Sequence, residues 1–368
     1  MQQPAARPTA DRYARQRILP GFGDPAQTAL ETARVLVIGA GGLGSSVIPA
    51  LAAAGVGTIG IVDDDTVEAS NLHRQLIHGV ADVGDTKVAS AARSVEALNP
   101  AVVVERHGAR LTSRNALDLF ARYDLVLDGS DNFVTRYLAN DAAALTGIPL
   151  VWGAVSQYGG QAGVAWAARG PHYRDLFPTP PPPGTVLSCA VGGVLPTVCA
   201  VIGSIMATEA IKILTGVGTP LVGAVTTFDA LTGSFRELTY ASDPDAEPIH
   251  GLIDYEAFCG VPKVEQVTTI TAAELAAGDA PAVLLDVRET WEAGIARLDH
   301  SVLIPLGDLG ARLGELDPDA PTIVYCHHGM RSATALGILE AAGFTDARHL
   351  EGGIDAWSRT VDPAIPRY

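Results

Sequence analysis

Short apolar runs alternate with amphipathic stretches through the first 155 residues. Residues 34–39 (R-V-L-V-I-G) lack the in–out alternation of a half-solvated strand, so they predict a strand buried on both faces. A helix from about Leu43 to Ala54 follows, then a second buried strand, T-I-G-I-V-D, ending at Asp63. The pattern repeats with a helix over Lys87–Leu98, a strand over Val102–Arg106 and a helix over Arg114–Arg122. Next come the strand D-L-V-L-D-G-S-D ending at Asp131, a helix over Asn132–Leu145 and the strand P-L-V-W-G-A-V. Strands alternating with helices require right-handed crossovers, and they predict an α/β fold with a doubly wound, mostly parallel sheet.

The pattern decays between Ala241 and Gln266, where Pro, Asp and Gly accumulate. A second alternation begins at Thr268 with a capping box, Thr271 to Glu274, and its strongest strands are A-V-L-L-D-V-R and T-I-V-Y-C-H. The predicted organisation is a first domain over 1–240, a linker over 241–266 and a smaller α/β domain over 267–368.

Two long stretches, 35–62 and 176–208, carry no charge and are long enough to span a membrane. Glycines at 39, 41, 42, 44, 55, 57 and 60 break the first into strand, turn, helix and strand. A proline run at 178–183 opens the second, which reads as a loop feeding a buried helix. Both are expected to be core, with no membrane partner. The chain has 368 residues, a net charge of −16, 48% hydrophobic and 18% charged residues, which suits two compact units and argues against a nucleic-acid partner. None of the four cysteines, Cys189, Cys199, Cys259 and Cys326, forms a C-x-x-C pair. The N-terminal M-Q-Q-P-A-A-R-P-T-A-D-R-Y-A-R-Q-R has no apolar core, so no signal peptide is expected and the cytoplasm is the expected compartment.

Gly39-Ala40-Gly41-Gly42-Leu43-Gly44 lies between a buried strand and a helix, where backbone N–H groups can approach a phosphate. Asp63 ends the next strand, about 20 residues on, where a carboxylate can accept from a ribose. These features alone leave NAD and ATP both open. Arg74 and Lys87, with Asp131 at a predicted strand end, favour a nucleotide triphosphate and a divalent metal over hydride transfer. An NAD-dependent oxidoreductase fused to a sulfurtransferase is the alternative.

The first part of the chain resembles the MoeB/ThiF family, prokaryotic relatives of ubiquitin-activating enzymes with a Rossmann-like fold. The resemblance rests on R-Y-x-R-Q at Arg12–Gln16, G-A-G-G-L-G, D-x-D-T-V from Asp63, S-N-L-x-R-Q at Ser70–Gln75, Lys87 and S-D-N at Ser130–Asn132. Later matches are L-F-P-x-P-P-P-P, S-C-A and A-T-E-A-I-K, so it covers roughly Asp11 to Tyr240. It implies ATP-dependent adenylation of the C-terminal Gly-Gly carboxylate of a small ubiquitin-like sulfur carrier of the MoaD/ThiS type. It also implies that Asp63 holds the ribose, that Asn71, Arg74 and Lys87 contact phosphates, and that Asp131 positions magnesium. Asp65, Ser70 and Asn132 complete the nucleotide set. Arg15 is expected to reach the phosphates of a neighbouring subunit, which implies a homodimer.

Family members commonly carry two C-x-x-C pairs that bind zinc. Here His172 and Asp175 stand where the first pair should fall and D-A-E-P-I-H where the second should, so zinc is expected to be absent and His172, Asp175 and His250 to be ordinary loop residues. Loss of those ligands is all that suggests a non-catalytic carrier-binding scaffold. Cys189, in L-S-C-A-V-G-G, matches a cysteine that some relatives use in sulfur transfer, although Val191 replaces the acidic residue that often follows. Cys199 is expected to pack in the core and Cys259 to be structural.

Cys326 follows the strand T-I-V-Y and opens C-H-H-G-M-R-S before a helix. Backbone N–H groups at a strand-to-helix turn stabilise a thiolate, and Arg331 adds positive charge. The domain resembles the rhodanese family through L-L-D-V-R-E at Leu284–Glu289, I-P-L at Ile304–Leu306, C-x-x-G-x-R-S and E-G-G-I-x-A-W at Glu351–Trp357. A cysteine phosphatase loop places five residues between Cys and Arg, whereas here four separate Cys326 from Arg331. The whole chain resembles the adenylyltransferase/sulfurtransferase type of molybdopterin-synthase-activating proteins (MoeZ-like). That resemblance implies a persulfide on Cys326, charged by thiosulfate or a cysteine desulfurase, which displaces AMP from the carrier.

Overall fold

The computed structural model describes residues 12–181, 192–260, 268–278 and 282–367. Its contacts divide the chain into two compact units that meet in sequence between Tyr255 and Glu256.

The larger unit is built on an eight-stranded sheet. Its strands are β1 (Arg34–Ile38), β2 (Thr58–Val62), β3 (Val103–His107), β4 (Leu125–Asp128), β5 (Leu150–Ser156), β6 (Gly159–Ala165), β7 (Ala224–Asp229) and β8 (Ser234–Thr239). They lie in the order β3-β2-β1-β4-β5-β6-β7-β8. The pairings from β3 to β5 are parallel and those from β5 to β8 antiparallel. The apolar runs read from sequence become the central strands: Val35, Leu36 and Val37 on β1 and Ile59 and Ile61 on β2 are fully buried. Helices Gly44–Ala54, Lys87–Leu98 and Phe133–Thr146 make the crossovers. Strand order reverses between β1 and β4, and such a switch point leaves a crevice at the carboxyl ends of its strands.

The uncharged stretch after the proline run becomes the helix Pro196–Thr215. With a mean hydropathy of 1.7, it is the one helix among the described residues that is long and apolar enough to cross a membrane. Val198, Ile202, Met206 and Ala210 on it are fully buried, in one cluster with the β1 and β2 side chains.

Two expectations shift. Strand β4 stops at Asp128, three residues before Asp131, because Asp128 turns into the core: its carboxylate is fully buried, accepts from Ser130 N–H at 2.9 Å and lies 3.4 Å from Arg136 Nε. The expected linker is in part packed on the larger unit. Ser113 Oγ donates to the Ile253 carbonyl at 2.9 Å, and the buried Tyr255 hydroxyl donates to Asp141 at 2.7 Å. The larger unit thus extends past residue 240.

The smaller unit carries an all-parallel five-stranded sheet: β9 (Thr269–Ile270), β10 (Val283–Asp286), β11 (Val302–Leu303), β12 (Thr322–Tyr325) and β13 (Ala347–Leu350), in the order β11-β10-β12-β13-β9. The expected capping box starts the helix Ala272–Ala277. Asp286 and Arg288 of the L-D-V-R motif form a fully buried pair, Arg288 Nε to Asp286 Oδ1 at 2.8 Å and Nη2 to Oδ2 at 2.6 Å, and the Tyr325 hydroxyl donates to the same carboxylate at 2.9 Å. That motif therefore ties β10 to β12.

Candidate active site

The glycine-rich turn leaves β1 at the switch point. Gly39 has φ +88°, and a Cβ on it would meet the Gly129 carbonyl at 3.2 Å; a Cβ on Gly44 would collide with the Gly39 carbonyl oxygen. The turn therefore closes tightly against the loop that follows β4. A side chain at Gly42 would lie 2.9 Å from Cys199 Sγ and 3.9 Å from Arg74 Cγ, and one at Gly41 3.8 Å from Gln75 Nε2. The turn is thus bordered by the segment that holds Arg74 and Gln75 and, at Gly39, by Gly129 and Ser130 of the loop beyond β4. Cys199, 2% exposed, packs beneath Gly42 as expected of a core residue.

Asp63 follows β2, and its two carboxylate oxygens accept from Ala40 N–H at 2.8 Å and Asp65 N–H at 2.9 Å. Burial pushes its pKa up, against the pull of Lys87 and these hydrogen bonds. Lys87, at the start of the helix Lys87–Leu98, is buried to the ammonium, which pairs with exposed Asp65 at 2.8 Å. Asn71 is buried, with Nδ2 3.4 Å from Ser70 Oγ. Arg74 Nη1 donates to the Ser70 carbonyl at 3.3 Å and lies 2.9 Å from His73 Nε2. Asp131 stands exposed in the loop beyond β4, and Asn132 caps the helix Phe133–Thr146, its Oδ1 accepting from Thr135 N–H at 2.8 Å. Arg15 is exposed on the short helix Ala14–Arg17. Apart from Arg15, the expected nucleotide residues lie on the glycine-rich turn, just after β2, on the segment around Arg74, at the start of the helix Lys87–Leu98 and in the loop beyond β4. Such a site suits a polyanion.

His172 and Asp175 act as a capping pair for the helix Tyr173–Leu176: Asp175 accepts from His172 N–H at 2.6 Å and His172 Nδ1 from Arg174 N–H at 3.2 Å. His250 is exposed. Cys189 lies outside the described residues. Cys259 is half-buried just beyond the helix Tyr255–Phe258.

Cys326 follows β12 and is 1% exposed. Its sulfur accepts from Gly329 N–H at 3.1 Å and lies 3.5 Å from Ser332 Oγ, at the mouth of the helix Met330–Ala341. Gly353 presses on the carbonyls of Cys326 and His327, where any Cβ would clash, and Ile354 N–H holds the Cys326 carbonyl at 2.9 Å. Arg331 is not an unopposed charge. Its Nη1 and Nη2 make a two-pronged bridge to Glu292 at 2.6 Å each. Burial pushes the Glu292 carboxyl up, but the Arg331 guanidinium, the Glu289 N–H and the charge of Arg288 together hold it below the usual range. His327 is driven down to about 4, by burial first and then by His328 stacked on it. The sequence reading did not single out Glu292, which lies 39 residues from its partner.

Residues 13–248 match the ThiF family and residues 269–360 the rhodanese-like domain, so the chain belongs to the ThiF family and carries a rhodanese-like domain behind it, in the manner of the adenylyltransferase/sulfurtransferase enzymes. It is 50% identical over 371 residues, covering 97% of this chain and 95% of the relative, to the probable adenylyltransferase/sulfurtransferase MoeZ of Mycobacterium tuberculosis. It is 52% identical over 263 residues, 68% of this chain and 97% of the relative, to the sulfur carrier protein adenylyltransferase of Thermus thermophilus. Among solved structures, MccB of E. coli aligns with a TM-score of 0.58 at 18% identity over 67% of this chain and 73% of MccB, a likeness of fold.

Proposed function

We propose that the larger unit adenylates the C-terminal Gly-Gly carboxylate of a ubiquitin-like sulfur-carrier protein with ATP, and that Cys326 then supplies sulfur to give a thiocarboxylate. A carboxylate oxygen of the carrier attacks the α-phosphorus and pyrophosphate leaves. The terminal sulfur of a Cys326 persulfide attacks the acyl carbon and AMP leaves, giving an acyl disulfide. A thiol, of an external reductant or of Cys189 as the candidate within the chain, attacks the Cys326 sulfur; a disulfide to Cys326 forms as the bond to the acyl sulfur breaks and the thiocarboxylate leaves, and a dithiol reductant then returns Cys326 to the thiol. What supports this reading is that Asp63, the Asp65–Lys87 pair, Arg74 and the loop following β4 gather around the glycine-rich turn, in the same chain as the Cys326 loop. Adenylation of this kind needs positioning and charge neutralisation and no protein nucleophile.

The oxygen donors suit a hard divalent cation: Asp131 is exposed beside the turn, and carboxylate oxygens of Asp63, Asp64 and Asp65 lie within 4.8 Å of one another. Asp131 would hold magnesium, which offsets phosphate charge when bound. Zinc has no part in this reading, because His172 and Asp175 are engaged in capping. Exposed Arg15 supports a homodimer in which it reaches the partner's phosphates, and a cytoplasmic setting suits reduced cysteines. Thiosulfate or a cysteine desulfurase would charge Cys326. The domain limits proposed are an adenylation domain that runs to about Tyr255, a short connecting segment up to 266 and a sulfurtransferase domain from 267.

The test is carrier-dependent ATP–pyrophosphate exchange by Asp131→Ala. Loss of exchange with an unchanged melting temperature is expected; normal exchange would remove Asp131 from the mechanism.

A further inference from the structure

The imidazole of His78 has no role in the steps above, yet it is only 6% exposed and reaches the glycine-rich turn. Its Nε2 lies 2.9 Å from the Ala40 carbonyl oxygen and its Nδ1 2.7 Å from Ser90 Oγ. A carbonyl only accepts, so Nε2 carries the proton and Nδ1 accepts from the Ser90 hydroxyl. Burial, helped by Lys87, pushes the His78 pKa down and keeps the ring in this neutral form.

Ala40 is the second residue of the turn, and its N–H is held by Asp63 at 2.8 Å. Its two backbone polar groups are therefore fixed by two different side chains. The contacts close a ring. Ser90 sits one turn along the helix from Lys87. Lys87 returns to Asp65 through its ammonium at 2.8 Å and its backbone N–H at 2.9 Å. Asp65 N–H donates to Asp63 at 2.9 Å, and Asp63 holds Ala40. His78 thus adds a second polar link between the turn and the Lys87 helix, beside the one that runs through Asp63 and beyond their shared apolar packing.

We infer that His78 is a positioning residue for nucleotide binding, which sets the Ala40 peptide, and with it the glycine-rich turn, in register with the Lys87 ammonium. The inference rests on the reading of that turn as the ATP site.

The test is calorimetric titration of the full chain with Mg-ATP, in wild type, His78→Asn, His78→Gln and Ser90→Ala. A glutamine amide nitrogen reaches the place of Nε2 and keeps the donor to Ala40, whereas asparagine reaches only the place of Nδ1. Loss of one buried hydrogen bond predicts Mg-ATP binding weaker by about tenfold in His78→Asn and restored to within about threefold in His78→Gln. Ser90→Ala should weaken it by about threefold, since the ring keeps its bond to Ala40 but loses its aim. A purely structural histidine would instead cost melting temperature in both His78 variants and leave their affinities alike. Wild-type binding with an indifferent His78→Asn, or a His78→Gln no better than His78→Asn, would overturn the inference alone. A wild-type chain without Mg-ATP affinity would overturn the functional reading and this inference with it.

Discussion

Glu292 is the residue on which the Cys326 loop leans, and replacing it should be costly in a way that can be separated into charge and shape. Its bridge to Arg331 has both hydrogen bonds at 2.6 Å, and the two side chains are 5% and 14% exposed. Removing one partner of a fully buried pair costs about 3–5 kcal/mol, because the other charge is left without compensation. Arg331 retains some contact with water, which reduces the expected cost of Glu292→Ala to about 2–3 kcal/mol. Glu292→Gln keeps the shape and one neutral acceptor, and should cost about 1–2 kcal/mol. For a unit of this size the alanine change corresponds to a fall of about 10–20 °C in melting temperature. Scanning calorimetry of the full chain should show the endotherm of the smaller unit move while that of the larger unit stays. Sulfur transfer from thiosulfate to cyanide should fall with it, since Arg331 starts the helix against which the Cys326 sulfur is held. The pH dependence has a definite sign. Glu292 titrates below its unfolded value of about 4.3, so its contribution is complete above that pH and is lost as the pH falls through the lower folded value. Both variants melting and turning over like wild type would refute the assignment of Glu292 as the support of the loop.

Two further outcomes follow from the same geometry. His327 titrates near 4 in the folded chain against about 6.5 when unfolded, so its share of stability is complete above about 6.5 and drains as the pH falls toward 4; His327→Gln should flatten the melting-temperature profile of the smaller unit across that window, and an unchanged slope would count against it. The purified protein should contain no stoichiometric zinc, and elemental analysis finding about one zinc per chain after dialysis would return His172, Asp175 and His250 to consideration as ligands.

The parts of the fold that the sequence made legible are those governed by local pattern. The helix Lys87–Leu98 and the buried runs of β1 and β2 stand where apolar spacing placed them. The glycine-rich turn stands between strand and helix because its glycines satisfy close approaches that no other residue could. What the pattern missed depends on distant partners. D-L-V-L-D-G-S-D reads as one strand, but Arg136 draws Asp128 inward and ends β4 there. The Arg331–Glu292 bridge joins residues 39 apart, so a cation beside Cys326 was visible and its neutralisation was not. Tyr255 reads as linker because its neighbours are polar, and its anchoring to Asp141 spans 114 positions. His78, in an otherwise unremarked L-I-H-G, shows its purpose only when Ala40 and Ser90 are brought to either side of it.

The central claim is that one chain divides adenylation and sulfur delivery between two sites, and mass spectrometry of the carrier tests it most directly. A Gly-Gly-ending carrier is incubated with Mg-ATP, thiosulfate and either the wild-type chain, Cys326→Ala or Cys189→Ala, with ATP–pyrophosphate exchange followed in parallel. The wild-type chain should give a mass gain matching replacement of one carboxylate oxygen by sulfur. Cys326→Ala should exchange pyrophosphate normally and leave the carrier without sulfur, since Cys326 belongs to the smaller unit and adenylation needs no protein nucleophile. Thiocarboxylate formed by Cys326→Ala at the wild-type rate would contradict the account and move the persulfide to Cys189.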